Sequence, residues 1–257
     1  MDQTTEYTCF SVNLHEQAFI QAICFSESLG VELFFVLKIP VMTPDLFADQ
    51  PIEVTTERLS EGAIVLRHFA SAQAPDLLSE IEHITTVAPL RHMKTPGGHS
   101  MSVAMSCCGC WGWVTDAKGY RYQAEDPCSG SPWPIMPPVF ASLARSAALA
   151  AGYGDFTPNA CLINRYEPGA KMGLHQDKNE QDFSQPVVSV SLGLSQVFQF
   201  GGLTRSARPK NIPLAHGDVV VWGGPSRLRY HGVLTLKAGA HPLTGACRYN
   251  LTFRCAR

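Results

Sequence analysis

Arg248-Tyr249-Asn250-Leu251-Thr252-Phe253-Arg254 alternates polar and apolar side chains without a break. On a strand, side chains repeat with period two. Arg248, Asn250, Thr252 and Arg254 therefore share one face, and Tyr249, Leu251 and Phe253 share the other. If the polar face points inward it calls for an anion, because a buried charge without a partner is costly. Further back, Leu174-His175-Gln176-Asp177 is an H-x-D. Taken as part of a strand over Met172–Asp177, it aims an imidazole and a carboxylate at one spot. These are two-thirds of the 2-His-1-carboxylate triad that holds non-haem Fe(II). Alone the motif is weak, since chance pairs are common. Beside an arginine strand suited to a dicarboxylate, it suggests an Fe(II)/2-oxoglutarate oxygenase.

The third ligand has two downstream candidates, His216 and His231. His216 precedes a Gly217-Asp218 turn signal. His231 stands at a strand start before Gly232, and a ligand must project from a strand beside the H-x-D, so His231 is the choice. Three protein ligands leave positions for a bidentate 2-oxo acid and O₂. Asn164 and Tyr166 are two apart on a strand over Ala160–Tyr166. With Arg248 they offer an amide, a phenol and a guanidinium to one carboxylate. Arg254 and Asn250 are expected to hold the other carboxylate, nearer the metal.

Outward from these stretches, short strands separated by glycine turns are expected at 187–192, 197–200, 218–222 and 230–233, with another at 63–67. Seven such strands within about a hundred residues after Gly154 suggest a sandwich or jelly roll. Leu77, Leu78, Ile81 and Ile84 predict a helix over 74–87. Phe140, Leu143 and Ala147 predict a second over 138–151, with Pro138 in its first turn and Gly152 after its end. Residues 91–137 are rich in Gly, Pro, Cys and Trp and read as hairpins and loops.

Of the 257 residues, 45% are hydrophobic and 16% charged, which excludes a disordered chain. The net charge of −2 excludes a broad basic coat, though not a local basic patch. Nine cysteines at irregular spacing, with no Lys or Arg among the first ten residues, point to free thiols in a reducing cytoplasm. Gln21, Glu27, Glu32 and Lys38 interrupt the apolar stretch 18–42, arguing against a membrane span. Residues 1–44 are expected to be a poorly ordered extension, or an extended gene start with Met42 as an alternative. Residues 45–257 are expected to be a single domain.

Several further segments are ordered as in one family: Thr95-Pro-Gly-Gly, Met101-Ser-Val-Ala-Met, Ala160-Cys-Leu-Ile-Asn-Arg-Tyr, Leu174-His-Gln-Asp-Lys, Val188-Ser-Val-Ser-Leu-Gly-Leu, Phe198-Gln-Phe-Gly-Gly-Leu, His216-Gly-Asp-Val-Val-Val-Trp-Gly-Gly and Arg248-Tyr-Asn-Leu-Thr-Phe-Arg. With these, residues 45–254 resemble the bacterial AlkB family of Fe(II)/2-oxoglutarate-dependent demethylases of alkylated nucleic acids. The resemblance implies a mainly β fold with flanking helices: a double-stranded β-helix (jelly-roll, cupin-like) core over 159–257 and a nucleotide-recognition lid over 91–125. It implies His175, Asp177 and His231 as iron ligands, and Asn164, Tyr166, Arg248, Asn250 and Arg254 around 2-oxoglutarate. It also implies oxidative removal of N-methyl groups from bases such as 1-methyladenine or 3-methylcytosine in DNA and possibly RNA, releasing formaldehyde, succinate and CO₂, by a monomer that needs no membrane.

In the lid, Trp113 and Tyr120 align with the family's base-stacking and phosphate-side contacts. A flipped-out base needs an aromatic face to replace lost stacking, and Trp113 and His175 would sandwich it. Thr95, Tyr122 and Arg205 are further expected contacts, and Arg205, Arg208 and Lys210 form a run suited to phosphate. Asn179 departs from close relatives, which often carry Asp, and so bears on base preference. Cys107, Cys108 and Cys110 lack a second pair at zinc-ribbon spacing and are expected to be free thiols. Two other readings remain at this stage: a 2-oxoglutarate oxygenase of a small molecule or protein, and a non-catalytic nucleic-acid-binding module.

Overall fold

The computed structural model describes residues 53–257 in full. Of residues 1–52 it describes the backbone of three short strands, β1 (Cys9–Ser11), β2 (Phe19–Ala22) and β3 (Ile39–Pro40), which form one antiparallel sheet. Residues 1–51 and 52–257 are separate compact units. The extension expected over residues 1–44 falls almost wholly outside the described residues.

Two antiparallel sheets make the second unit. The larger runs β4 (Thr55–Ser60), β5 (Ala63–Arg67), β15 (Val219–Trp222), β12 (Val187–Gly193), β17 (Arg248–Arg254), β10 (Ala160–Tyr166), β7 (Ser100–Gly109), β6 (Arg91–Lys94). The smaller runs β11 (Met172–His175), β16 (His231–Val233), β13 (Gln196–Phe200), β14 (Lys210–Leu214). A hairpin, β8 (Gly112–Asp116) and β9 (Gly119–Gln123), is hydrogen-bonded into neither sheet and packs against β6, β7 and β10.

Period-two alternation decides what each face of the large sheet touches. Val188, Val190 and Leu192 of β12, Val219 and Val221 of β15, and Leu251 and Phe253 of β17 all pack on the helical side. There they meet Leu77, Ile81 and Ile84 of α1 (Ala74–Val87) and Phe140, Leu143 and Ala147 of α2 (Pro138–Ala150). Each fully buried Leu, Ile or Phe in this layer contributes about 1.5–3 kcal/mol. The opposite face turns toward the small sheet, where Val220 and Trp222 join Phe198, Phe200 and Val233 in a second core. The polar members of the alternation, Ser189 on β12 and Arg248, Asn250, Thr252 and Arg254 on β17, line a crevice on that same side.

The helices and most strands stand where periodicity places them. Strands β4 and β14 were not anticipated. β4 is mostly exposed and lacks apolar alternation, and β14 carries Pro213, tolerated because it is an edge strand. Residues 91–137, read as hairpins and loops, contain the ten-residue strand β7. One boundary matters for the site: β11 ends at His175, so Asp177 lies in the following loop and not on the strand.

Candidate metal and co-substrate centre

The crevice between the sheets gathers His175 from the end of β11, Asp177 from the next loop and His231 from the start of β16. One ligand atom from each lies within 4.8 Å of the others, and no other such group of three His, Cys, Asp or Glu occurs among the described residues. His175 pairs directly with His231 across β11 and β16. Gly232 permits that approach: a Cβ there would lie 2.6 Å from the Met172 carbonyl oxygen. Because Asp177 is off the strand, strand periodicity does not aim it. Its side chain is aimed by Arg254, whose Nε and Nη2 donate to Asp177 Oδ2 at 2.8 and 2.7 Å.

Hydrogen bonds also fix the imidazole tautomers. His175 Nδ1 lies 2.9 Å from the Gly173 carbonyl, and His231 Nδ1 lies 3.0 Å from the Arg229 carbonyl. A carbonyl only accepts, so each Nδ1 carries the proton and each Nε2 keeps its lone pair. Both Nε2 atoms face the Asp177 carboxylate at 3.8 Å. Burial, with His175 close by, drops His231 to about 3, so its imidazole is neutral at ordinary pH. Burial alone would raise Asp177, but the Arg254 guanidinium outweighs it and holds the carboxyl well below its usual range. The two Nε2 atoms and the carboxylate form a donor set that fits a divalent iron.

The adjoining end of the crevice is built from β10 and β17, with Asn164, Tyr166 and Arg248 in its wall. Arg248 is 1% exposed. Its Nη2 donates to Ser191 Oγ at 2.9 Å and its guanidinium lies 5.2 Å from the Tyr166 ring centre. Nε and Nη1 have no partner among the described residues. Among the described residues no carboxylate answers this cation, and burial pushes its pKa down. Burial raises the Tyr166 pKa, so the phenol stays a donor. A buried, unanswered guanidinium beside a phenol fits an incoming carboxylate.

Asn250 and Arg254, also expected at the co-substrate, line the same crevice and are engaged by neighbouring groups. Asn250 spends Nδ2 on Ser189 Oγ and the Val190 carbonyl, and its Oδ1 accepts from Asn164 and Thr252. It braces Asn164 and has no hydrogen left for a carboxylate. Arg254 commits two donors to Asp177, so it supports the metal ligand first. His216 lies away from the triad, stacked 4.5 Å from His241.

A second cavity, about 350 Å³, opens beside the triad and is lined by Trp113, Tyr120, His175, Asn179 and Arg205 among others. Trp113 and Tyr120 stack on the hairpin with ring centres 5.7 Å apart. Trp113 Nε1 donates to Asn179 Oδ1 at 3.2 Å. The Asn179 oxygen is thereby occupied, and its NH₂ is the edge left for a ligand. Thr95 and Tyr122 are not in this cavity. Thr95 closes a local turn by accepting from the His99 N–H. Tyr122 is buried under the hairpin and donates to Glu180 Oε1 at 2.6 Å. Lys210 donates to the Leu59 carbonyl. Cys107 and Cys108 are buried, Cys110 is exposed, and burial pushes the Cys107 thiol up to about 12, so it is an inert thiol at neutral pH. No helix among the described residues is long and apolar enough to cross a membrane.

Sequence reasoning missed Glu180, Arg227, Ser189 and Ser191. The two serines were legible as the polar beat of Val188-Ser-Val-Ser; Glu180 and Arg227 sit in irregular segments that carry no periodic signal.

Comparison with known proteins agrees with this geometry. Residues 62–254 match the family model described as the 2OG-Fe(II) oxygenase superfamily. The chain is 58% identical over 212 residues to the alpha-ketoglutarate-dependent dioxygenase AlkB of Salmonella typhimurium, and equally to that of Escherichia coli, covering 82% of this chain and 97% of each relative. It is 33% identical over 121 residues to the human nucleic acid dioxygenase ALKBH1, covering 47% of this chain and 31% of the relative. The solved structure titled "The structure of OsALKBH1" superposes with a TM-score of 0.69 at 28% identity, covering 78% of this chain and 99% of that one.

Proposed function

This chain belongs to the 2OG-Fe(II) oxygenase superfamily and, within it, to the AlkB family, and on that footing we propose that it removes N-methyl groups oxidatively from alkylated nucleic-acid bases. The observation that carries the reading is the Arg248 guanidinium, buried and without a carboxylate partner among the described residues, in the same crevice as the His175–Asp177–His231 cluster. A site for a dicarboxylate next to a facial triad is what 2-oxoglutarate-dependent chemistry requires.

In this reading His175 Nε2, Asp177 and His231 Nε2 hold Fe(II), and Arg248 and Tyr166 hold a carboxylate of 2-oxoglutarate. When bound, the iron with 2-oxoglutarate and O₂ supplies the oxidising power for hydroxylating the methyl carbon, which then leaves as formaldehyde. The protein's own contributions are orientation, charge and exclusion of water. The Gly173 and Arg229 carbonyls keep each imidazole lone pair on the metal side. Arg254 keeps Asp177 ionised and turned. Phe198 and Trp222 pack beside the His231 ring and keep that flank of the site apolar. The Trp113–Tyr120 platform offers a face to an extruded base, and Arg205 offers a cation at the mouth.

The substrates proposed are 1-methyladenine and 3-methylcytosine in DNA, with RNA as a second polymer, acted on by a monomeric cytoplasmic enzyme whose catalytic domain spans residues 45–257. Thr95 and Tyr122 drop out of the proposed substrate contacts; Trp113, Tyr120, Asn179 and Arg205 stay. The test is to incubate the protein with Fe(II), 2-oxoglutarate and a panel of methylated DNA and RNA oligonucleotides, assaying formaldehyde and succinate together. Formaldehyde from at least one oligonucleotide is expected. Succinate without formaldehyde on every oligonucleotide points to a small-molecule or protein substrate, and neither product points to a binding module.

A further inference from the structure

Glu180 has no part in the centre as described, yet it is 6% exposed and sits between the metal ligand and the lid hairpin. Its Oε1 accepts from the Tyr122 hydroxyl at 2.6 Å, and Tyr122 belongs to β9, paired with the strand that carries Trp113. Its Oε2 accepts from Arg227 Nη2 at 3.0 Å. Arg227 Nη1 then donates to the Asp177 carbonyl at 2.8 Å. Arg254 Nε, already on Asp177 Oδ2, lies 3.5 Å from Glu180 Oε1. Two carboxylates and two guanidiniums thus form a buried, charge-balanced quartet. It grips Asp177 by its side chain and its main chain, and grips the hairpin by one phenol.

A buried ion quartet is a poor device for stability alone, because desolvation offsets most of its Coulombic gain and apolar packing fixes a hairpin equally well. What it supplies is fixed geometry. Tyr122 lies directly across from Trp113 in the hairpin register, and Trp113 also donates to Asn179, one residue before Glu180. Displacing the Trp113 platform therefore loads the 177–180 loop at two points, both within three residues of the metal ligand.

We propose that Glu180, reached through Tyr122, is a positioning residue that couples seating of a base on the Trp113–Tyr120 platform to the Asp177–Arg254 pair, so that base and metal–co-substrate bind cooperatively. This rests on the functional reading above. By linkage the coupling is reciprocal: metal and co-substrate tighten the base by the factor with which the base tightens them.

The experiment measures binding without turnover. Affinity of a methylated oligonucleotide is determined anaerobically with and without Mn(II) plus 2-oxoglutarate, for the wild type, Tyr122→Phe and Glu180→Gln. The wild type is expected to bind at least about fivefold more tightly with Mn(II) and 2-oxoglutarate, at the lower end of common coupling strengths. Tyr122→Phe keeps the ring and loses only the tie, so its factor should fall to about twofold or less while Mn(II) affinity measured alone stays near that of the wild type. Glu180→Gln, which retains an acceptor for Tyr122 but unbalances Arg227, should lose part of the factor. A wild type without coupling, or a Tyr122→Phe protein that retains it, overturns the proposal. Because no methyl group need be removed, these outcomes are distinct from the absence of formaldehyde, which would sink the functional reading instead.

Discussion

Replacing Arg248 with Met should separate co-substrate binding from folding in opposite directions. The guanidinium is fully buried, with Nε and Nη1 unanswered. Effective desolvation of such an ion costs several kcal/mol. The chain returns one hydrogen bond to Ser191 and the face of the Tyr166 ring, together about 2–4 kcal/mol. Methionine fills a similar volume without charge, so the co-substrate-free variant should be as stable as the wild type or up to about 2 kcal/mol more stable. With about 2–4 °C per kcal/mol for a domain of this size, its midpoint should rise by several degrees or stay level. Binding should move the other way. A fork of two charge-assisted bonds is worth roughly 3–5 kcal/mol, so 2-oxoglutarate affinity should fall at least about a hundredfold. Thermal melts with and without 2-oxoglutarate, in the presence of Mn(II), read both quantities, because a ligand that binds only the folded state raises the midpoint by mass action. A variant destabilised by more than about 3 kcal/mol in the free state, yet still stabilised by 2-oxoglutarate, would refute the assignment of Arg248 as an anion anchor awaiting its partner.

Asn179→Asp replaces the free NH₂ edge beside Trp113 with a carboxylate; the ratio of turnover on cationic 1-methyladenine to turnover on a neutral methylated base should rise about tenfold, near 1.4 kcal/mol, and an unchanged ratio would remove Asn179 from base choice. Trp113→Ala should weaken methylated-oligonucleotide binding by 1–3 kcal/mol, roughly five- to 150-fold by anisotropy, whereas unaltered binding would favour a small-molecule or protein substrate. For pH, His231 falls from 6.5 to about 3 on folding. Below pH 6.5 the unfolded chain therefore takes up a proton that the folded chain refuses, and metal-free stability must decline as pH drops toward 3. Urea midpoints should register a loss of roughly 2 kcal/mol between pH 6.5 and 5, absent in His231→Gln; a flat or rising profile would contradict a buried neutral imidazole.

Much of this was written in periodic segments. The alternation of β17 and the Val-Ser-Val-Ser run of β12 identify both faces of the large sheet, because each strand is buried on two sides with different partners: helices on one, the crevice on the other. The H-x-D announced the metal cluster, but not by the geometry first assigned. Asp177 stands beyond β11 and is aimed by Arg254 and Arg227, which are distant in sequence. The same holds for Asn250 and Tyr122. Each lies at a position that predicts contact with a bound molecule, and each has its polar atoms consumed by neighbours. Face and residue type are legible from spacing; hydrogen-bond partners brought together by folding are not. The strand β7 does alternate, with Met101, Val103, Met105 and Cys107 on one core-facing side, but the Gly-, Pro- and Cys-rich segments around it drew the reading toward loops.

The central claim is that one crevice unites a His175–Asp177–His231 metal site with an anion site and a base platform to remove a methyl group from a nucleic acid. Intact-mass spectrometry of an oligonucleotide containing a single 1-methyladenine, after incubation with the protein, Fe(II), 2-oxoglutarate and O₂, tests it most directly. The predicted result is conversion to the mass of the unmethylated strand, dependent on 2-oxoglutarate and abolished in Asp177→Ala. A methylated mass unchanged by the wild-type protein across every methylated base and both polymers, or conversion that survives in Asp177→Ala, would contradict it.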